Sequence, residues 1–341
     1  MFTMRDFLGL FVGAAVTAAC FVLLLPPAQC PWGVLPAEQE LDLGNATTQA
    51  AELSTNKLDK AATSTLAEDD KQLEGLLRAA VMADNKTVIM TFTNKAWTAP
   101  GSLQDLFLES FRIGDGTAPL LKHLVIIAVD ANAYEACQRA HPLCYHLHDS
   151  AAAYTAEQVY MAKGYLEMMW RRNRFQVRVL RLGYSFVFTD MDIIWLRNPL
   201  LRVPFGADLA MSCDAYRNGA HRPYDLDRKA ANSGFIYVRA SDRMLEFYES
   251  WYAARVKYPG TNEQYVFDRE KYVLPGRHGL LVQFVDTAYL SGFCELSKDF
   301  NKVCTVHANC LVGLKDKLEK LTEVLEEWKQ FRANTTGQLT G

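Results

Sequence analysis

The sequence predicts an α/β domain, with a mostly parallel central sheet covered by helices on both faces, behind an N-terminal membrane anchor. Three observations carry this reading. Apolar runs of strand length alternate with helical patterns from about residue 70 onward. Those runs end on polar residues, Asn94, Asp130 and Asp190. A segment without charge, Phe7 to Leu25, precedes everything else.

The segment FLGLFVGAAVTAACFVLLL is long enough to cross a bilayer as a helix, at ~1.5 Å of rise per residue. Arg5 is the one basic residue of the tail at 1–6, so the positive-inside rule sets that tail in the cytoplasm. A cleaved signal peptide is the competing reading; the run exceeds the ~7 to 15 residues of a signal core, and Pro26-Pro27 follows it. On either reading the remainder reaches the secretory lumen. Residues 26–69 are rich in Ala, Thr, Ser, Glu and Asp with no periodic apolar face, and read as a stem. Sequons at Asn45, Asn85 and Asn334 agree with a lumen, as do Cys137, Cys144, Cys213, Cys294, Cys304 and Cys310, an even set suited to disulfides. Buried free thiols are the alternative for these cysteines. We expect Cys294 to pair with Cys304 or Cys310, because the three flank the segment that carries His307.

The catalytic-domain candidate spans 70–333, with 334–341 as a tail. Leu73, Leu76, Leu77 and Val81 mark a short helix, and Thr87 to Thr93 a strand. A helix at Ser102–Phe111, an apolar strand from His123 to Val129, a helix across Ala151–Leu182 and a strand at Ser185–Phe188 follow. Leu318, Leu321, Val324, Leu325 and Trp328 give the last helix its apolar face. Ligands of such sheets bind outside the carboxyl ends of the strands, so Asn94 and Asp130 are candidates for holding a nucleotide. Among 341 residues, half hydrophobic, the formal charge is −3 with no Lys/Arg block. That balance excludes a nucleic-acid surface and leaves room for a nucleotide only as a small ligand.

The chemistry concentrates in four segments. In Phe188-Thr189-Asp190-Met191-Asp192-Ile193-Ile194-Trp195, alternation turns Asp190 and Asp192 to one side and Met191 to the other. Two carboxylates among apolar residues are costly without a cation, and Mn²⁺ or Mg²⁺ takes such oxygens and bridges them to phosphates. Asn232-Ser233-Gly234 reads as a polar turn entering a strand, with groups for sugar hydroxyls and a glycine for close backbone approach. Thr261 or Asn262 caps a helix whose first turn carries Glu263 and Gln264, candidates to sit near a reacting sugar carbon. His307, followed by Lys315 and Lys317, could complete the metal shell and neutralise a diphosphate; a packed core histidine is the alternative.

Together, Thr93-Asn94-Lys95-Ala96-Trp97, Ser102–Phe111, Gly183–Trp195 and His307-Ala308-Asn309-Cys310 make the stretch from Val88 to Trp328 resemble a plant family. That family is the nucleotide-diphospho-sugar transferases, which include rhamnogalacturonan-II xylosyltransferases and extensin arabinosyltransferases. The resemblance implies a GT-A-like single domain in the Golgi lumen behind its anchor. It implies a Mn²⁺ (or Mg²⁺) site and a UDP-sugar donor. The transfer implied moves a pentose, with retention, to a cell-wall polysaccharide or glycoprotein. By the same resemblance Asp190, Asp192 and His307 hold the metal, Lys317 faces the diphosphate, and Asn232, Ser233, Glu263 and Gln264 surround the sugar. Two positions depart from the pattern, Glu263 where Asp is the family residue and Leu311 where a further cysteine stands. A nucleotide-sugar hydrolase using the same aspartates, and a non-catalytic luminal glycan-binding protein, are the rival readings.

Overall fold

The computed structural model describes residues 68–83, 86–148, 161–216 and 229–339. All of them belong to the unit Ala61–Gly341. The expected anchor Phe7–Leu25, the stem up to residue 67, and Asn45 and Asn85 lie outside the described residues, as does the stretch 149–160 where the helix from Ala151 was expected to begin. Among the described residues no helix is long and apolar enough to cross a membrane.

Helix α1 (68–80) buries Leu73, Leu77 and Ala80, one face at helical spacing. The chain then alternates β1 (Thr87–Thr93), α2 (Leu103–Ile113), β2 (Leu124–Ala128), α3 (Ala131–Ala140), β3 (Cys144–His146), α4 (Lys163–Arg181) and β4 (Ser185–Thr189). These strands pair in parallel, in the order β3-β2-β1-β4. Helical crossovers put cover on both faces of such a sheet, which is why β1, β2 and β4 are buried along nearly their whole length rather than on alternate residues. Ile89 lies in register with Leu124, and Thr93 with Ala128, so Asn94 and Asp130 follow the ends of neighbouring strands.

Beyond β4 the sheet becomes mixed. Strand β5 (Ile193–Trp195) leaves it, while β6 (Leu209–Ala215), β7 (Ala230–Val238) and, after helices α5 (Asp242–Ala254), α6 (Glu263–Glu270) and α7 (Leu274–Arg277), β8 (Val282–Phe284) extend it. The pairings β4–β7 and β7–β6 are antiparallel and β6–β8 is parallel, so the sheet is mostly parallel, as expected. A second sheet, unforeseen in the sequence, orders β5, β10 (Thr305–His307) and β9 (Leu290–Gly292). Its strands are three residues each, too short to show a period. Asn232-Ser233-Gly234, expected as a turn, lies inside β7. Where β6 and β7 pair, the register slips between Met211↔Ile236 and Ser212↔Asn232, leaving Ser233 to Phe235 without partners on β6. A bulge re-aims side chains in this way.

Two apolar cores flank the large sheet. One joins Val88, Met90, Phe186 and Phe188 to Phe175, Phe247 and Trp251. The other joins Ile89 and Val187 to Phe107, Phe111, Trp195 and, from helix α8 (Leu314–Leu339), Leu321 and Trp328. Helix α8 runs on through most of 334–341, and Asn334 is exposed on it. Disulfides join Cys137 to Cys144 and Cys294 to Cys310, while Cys213 and Cys304 are buried thiols. The partner of Cys294 is thus Cys310, not Cys304.

Trp195 ties the second sheet to the first. Its ring stacks on Phe111 at 4.4 Å, its Nε1 donates to Thr189 Oγ1 at 3.2 Å, and it is fully buried. Trp195→Ala removes ring volume that neighbours cannot refill, so urea unfolding should show a loss of about 3–5 kcal/mol.

Candidate metal centre and its surroundings

Asp190 follows β4, and Asp192 precedes β5 in the same tight turn. The turn is closed by Asp190 N donating to Gly234 O (2.7 Å) and Ile193 N donating to Asp190 O (3.2 Å). Met191 is 1% exposed and packs into the core with Trp195, so the alternation read from the sequence holds. The antiparallel pairing of β10 with β5 sets His307 opposite Ile193, and Ala308 N donates to Asp192 O (3.0 Å). Backbone pairing alone therefore delivers the histidine to the aspartates. His307 Nε2 lies 3.3 Å from Asp192 Oδ1 and 3.8 Å from Asp190 Oδ2. One ligand atom from each of the three residues falls within 4.8 Å of the others.

The two carboxylates differ electrostatically. Burial disfavours the charge on Asp192, but Lys317, whose Nζ donates to Asp192 Oδ2 at 2.7 Å, and His307 outweigh it and hold the carboxyl far below the usual range. Burial pushes Asp190 up, to about 6, against the pull of Arg172, and the neighbouring Asp192 adds to the rise. A divalent cation touching both would relieve the repulsion and favour the ionised form of Asp190. The donor set fits such an ion, with two hard carboxylates and one imidazole. The floor of the site fits as well. A Cβ built on Gly234 would stand 2.4 Å from His307 Cε1, 2.8 Å from Asn232 Oδ1 and 2.9 Å from Asp190 Oδ2, so only glycine lets the cluster close.

Beside the cluster sits a residue the sequence reading passed over. Arg172 on α4 donates from Nη1 to Asp190 Oδ1 (2.7 Å), and from Nη2 to Ser233 Oγ (3.0 Å) and to Glu263. Its guanidinium lies over the Phe188 ring, 4.5 Å from the centroid. Burial opposes its charge, but Glu263 and then Asp190 outweigh that and hold it above its ordinary value. A signal was present, since Arg172 falls on the buried stripe of α4 between Met169 and Gln176. A charge on an apolar stripe must be paired.

The other expected residues are placed as follows. Asn262 caps α6 by accepting from Tyr265 N at 2.9 Å. Glu263 is 3% exposed; Oε1 accepts from Arg172 and from Ser233 Oγ (2.9 Å), and Oε2 is buried with no hydrogen-bond partner among the described residues. Gln264 Oε1 accepts from Ser233 N at 2.9 Å. Asn232 Oδ1 accepts from Gly234 N at 2.9 Å, and Nδ2 donates to Asp214 at 2.7 Å. Lys317, which the resemblance set against a diphosphate, donates from Nζ to Asp192 Oδ2 at 2.7 Å. Asn94 Oδ1 accepts from Trp97 N at 3.1 Å, and Asp130 accepts from Ala133 N (2.9 Å), capping α3, and from Lys95 N (2.8 Å). Among the described residues neither of these two hydrogen-bonds to the Asp190–Asp192–His307 cluster; they shape the neighbouring strand ends.

Two substitutions test this construction. Arg172→Ala leaves Glu263 and Asp190 without their buried countercharge, so equilibrium denaturation should show a loss of about 3–5 kcal/mol. Arg172→Lys, which keeps the charge but not the fork, should lose less. Gly234→Ala should cost about 1–3 kcal/mol of stability by overpacking and weaken divalent-cation binding by at least about tenfold, read by thermal melts and cation titration.

Residues 119–321, more than half of the chain, match the family described as nucleotide-diphospho-sugar transferase. An uncharacterized protein of Arabidopsis thaliana is 41% identical over 278 residues, spanning 80% of this chain and 72% of that protein. The β-arabinofuranosyltransferase RAY1 of Arabidopsis thaliana is 38% identical over 71 residues, 20% of this chain and 13% of RAY1. A glycosyltransferase involved in glycosylation of the major capsid of PBCV-1 superposes with a TM-score of 0.41 at 12% identity, over 69% of this chain and 98% of that one. The family match over most of the domain, joined to a relative alike over four fifths of the chain, makes this chain a member of the nucleotide-diphospho-sugar transferase family.

Proposed function

We propose that this chain is a GT-A-like, divalent-cation-dependent glycosyltransferase of the Golgi lumen, held to the membrane by Phe7–Leu25. In this reading it moves a pentose, with retention, from a UDP-sugar to a cell-wall polysaccharide or glycoprotein. The observation that carries the proposal is the convergence of Asp190, Asp192 and His307 within 4.8 Å, inside the segment that matches the family. The short stretch shared with an arabinofuranosyltransferase supports a pentose donor. The mixed carboxylate–imidazole set supports Mn²⁺ over Mg²⁺.

Asp190, Asp192 and His307 would hold the ion, which when bound supplies positive charge to the diphosphate leaving group. Asp192 stays ionised because Lys317 and His307 face it. Arg172 holds Asp190 from the far side and anchors Glu263, so the carboxylates keep their places as charge moves. Ser233 and Gln264, coupled by two hydrogen bonds, give the polar wall against which the sugar rests. As the bond from the sugar to the diphosphate breaks, positive charge grows on the sugar ring, and carboxylate and amide oxygens nearby favour it. The acceptor hydroxyl then bonds to the sugar carbon on the face the diphosphate left and passes its proton to that diphosphate, which departs as the nucleoside diphosphate.

A donor screen with Mn²⁺, measuring nucleoside diphosphate release with and without glycan acceptors, tests the reaction. Release that no acceptor redirects would make the protein a hydrolase, and no uptake of Mn²⁺ or nucleotide would leave a glycan-binding protein. Asp192→Asn should lower turnover by about a thousandfold or more, roughly 4 kcal/mol, because a neutral amide keeps the shape but not the charge. His307→Ala should weaken cation binding less, since water can replace a neutral ligand. Sequencing the mature N-terminus tests the anchor; a freely secreted chain starting near Cys30 would overturn it.

A further inference from the structure

One carboxylate, that of Asp214, joins the two sides of the candidate metal centre. Asp214, half-buried near the end of β6, accepts two amide hydrogen bonds on a single oxygen. Asn232 Nδ2 donates to Oδ1 at 2.7 Å and Asn309 Nδ2 donates to the same atom at 2.8 Å. Each amide is held at its other end by a backbone N–H. Asn232 Oδ1 accepts from Gly234 N (2.9 Å), and Asn309 Oδ1 accepts from Cys294 N (3.2 Å).

The two amides belong to opposite sides of the cluster. Asn232 fixes the β7 segment whose Gly234 forms the floor under His307 and Asp190. Asn309 lies two residues past His307 and packs over Gly292, where a Cβ would meet Asn309 Oδ1 at 2.3 Å. Gly292 is itself the partner of His307 in the β9–β10 ladder. The Cys294–Cys310 disulfide closes the same turn from outside, and Cys310 holds a left-handed φ of 57° there. No backbone hydrogen bond of the ladders joins β7 to β10, which lie in different sheets. The Asp214 bridge joins Asn232 of β7 to Asn309, two residues past the end of β10.

We propose that Asp214 is a positioning residue, which sets the distance from His307 to Asp190 and Asp192 and so tunes the affinity of the site for its cation. It acts as an acceptor for two amides and not as a ligand. The proposal rests on the metal-dependent reading above. Removing groups that orient metal ligands from behind commonly costs about tenfold to a hundredfold in metal affinity.

The distinction between acceptor and charge makes the proposal testable. In Asp214→Asn the carbonyl oxygen can still accept from both amides; in Asp214→Leu nothing can. Mn²⁺ binding by the purified protein is followed through the free-ion EPR signal, with denaturant midpoints recorded beside it. Asp214→Leu should lose about tenfold to a hundredfold in Mn²⁺ affinity, Asp214→Asn about threefold or less, and Asn309→Ala an intermediate amount. With no metal added, the ¹⁵N signals of the His307 ring should shift in Asp214→Leu and stay in place in Asp214→Asn. Wild-type affinity in Asp214→Leu overturns the proposal, and so does an Asp214→Asn variant that falls as far as the leucine variant, because charge would then be the cause. Should Asp214→Leu fail to fold, Asn309→Ala decides, and unchanged affinity there overturns it. A wild-type protein that takes up no Mn²⁺ fails the metal-dependent reading itself, whatever the ring signals of the variants report.

Discussion

A single guanidinium, buried on α4, sets the terms for everything around the site. Arg172 meets Asp190 just after β4, Ser233 from β7 and Glu263 from α6, so three segments distant in sequence converge on one planar donor. Each of the two anions would be prohibitive to bury alone, and each is tolerated because the fork reaches both. The Phe188 ring beneath closes the fourth side. Because a fork accepts few geometries, the positions of Asp190 and Glu263 are correlated.

Charge balance explains why the site is poised for a cation. Asp190, Asp192 and Glu263 face two fixed cations, Arg172 and Lys317, with His307 between the aspartates. Lys317 satisfies Asp192 and Arg172 is shared with Glu263; burial, with the Asp192 charge adding to it, pushes the Asp190 carboxyl up against the pull of Arg172. A phosphate brought in without a metal would worsen that deficit. A divalent ion brought in with it would correct both at once.

Two backbone irregularities make the geometry possible. The slip between β6 and β7 leaves Ser233 to Phe235 without partners on β6, and Gly234 within it leaves the gap that His307 and Asp190 fill. The short ladder β5–β10–β9 then carries His307 to the turn it serves. Side-chain bonds through Asp214 join the two arrangements.

From residue order alone came the α/β alternation, the strand ends at Asn94, Asp130 and Asp190, and the pairing of Asp190 with Asp192 on one side of their turn. These depend on periods of 2 and 3.6 and on neighbours within a few residues, which a linear string displays. The helix cap at Asn262 was legible for the same reason. The mixed half of the sheet, the second sheet, the strand state of Asn232-Ser233-Gly234 and the choice of Cys310 over Cys304 were decided only on folding. So were Arg172 and Asp214, whose partners lie as far as 91 and 95 residues away. A buried charge announces that it needs a partner, but which partner it meets is settled by the pairing of strands, and that pairing is a property of the whole chain.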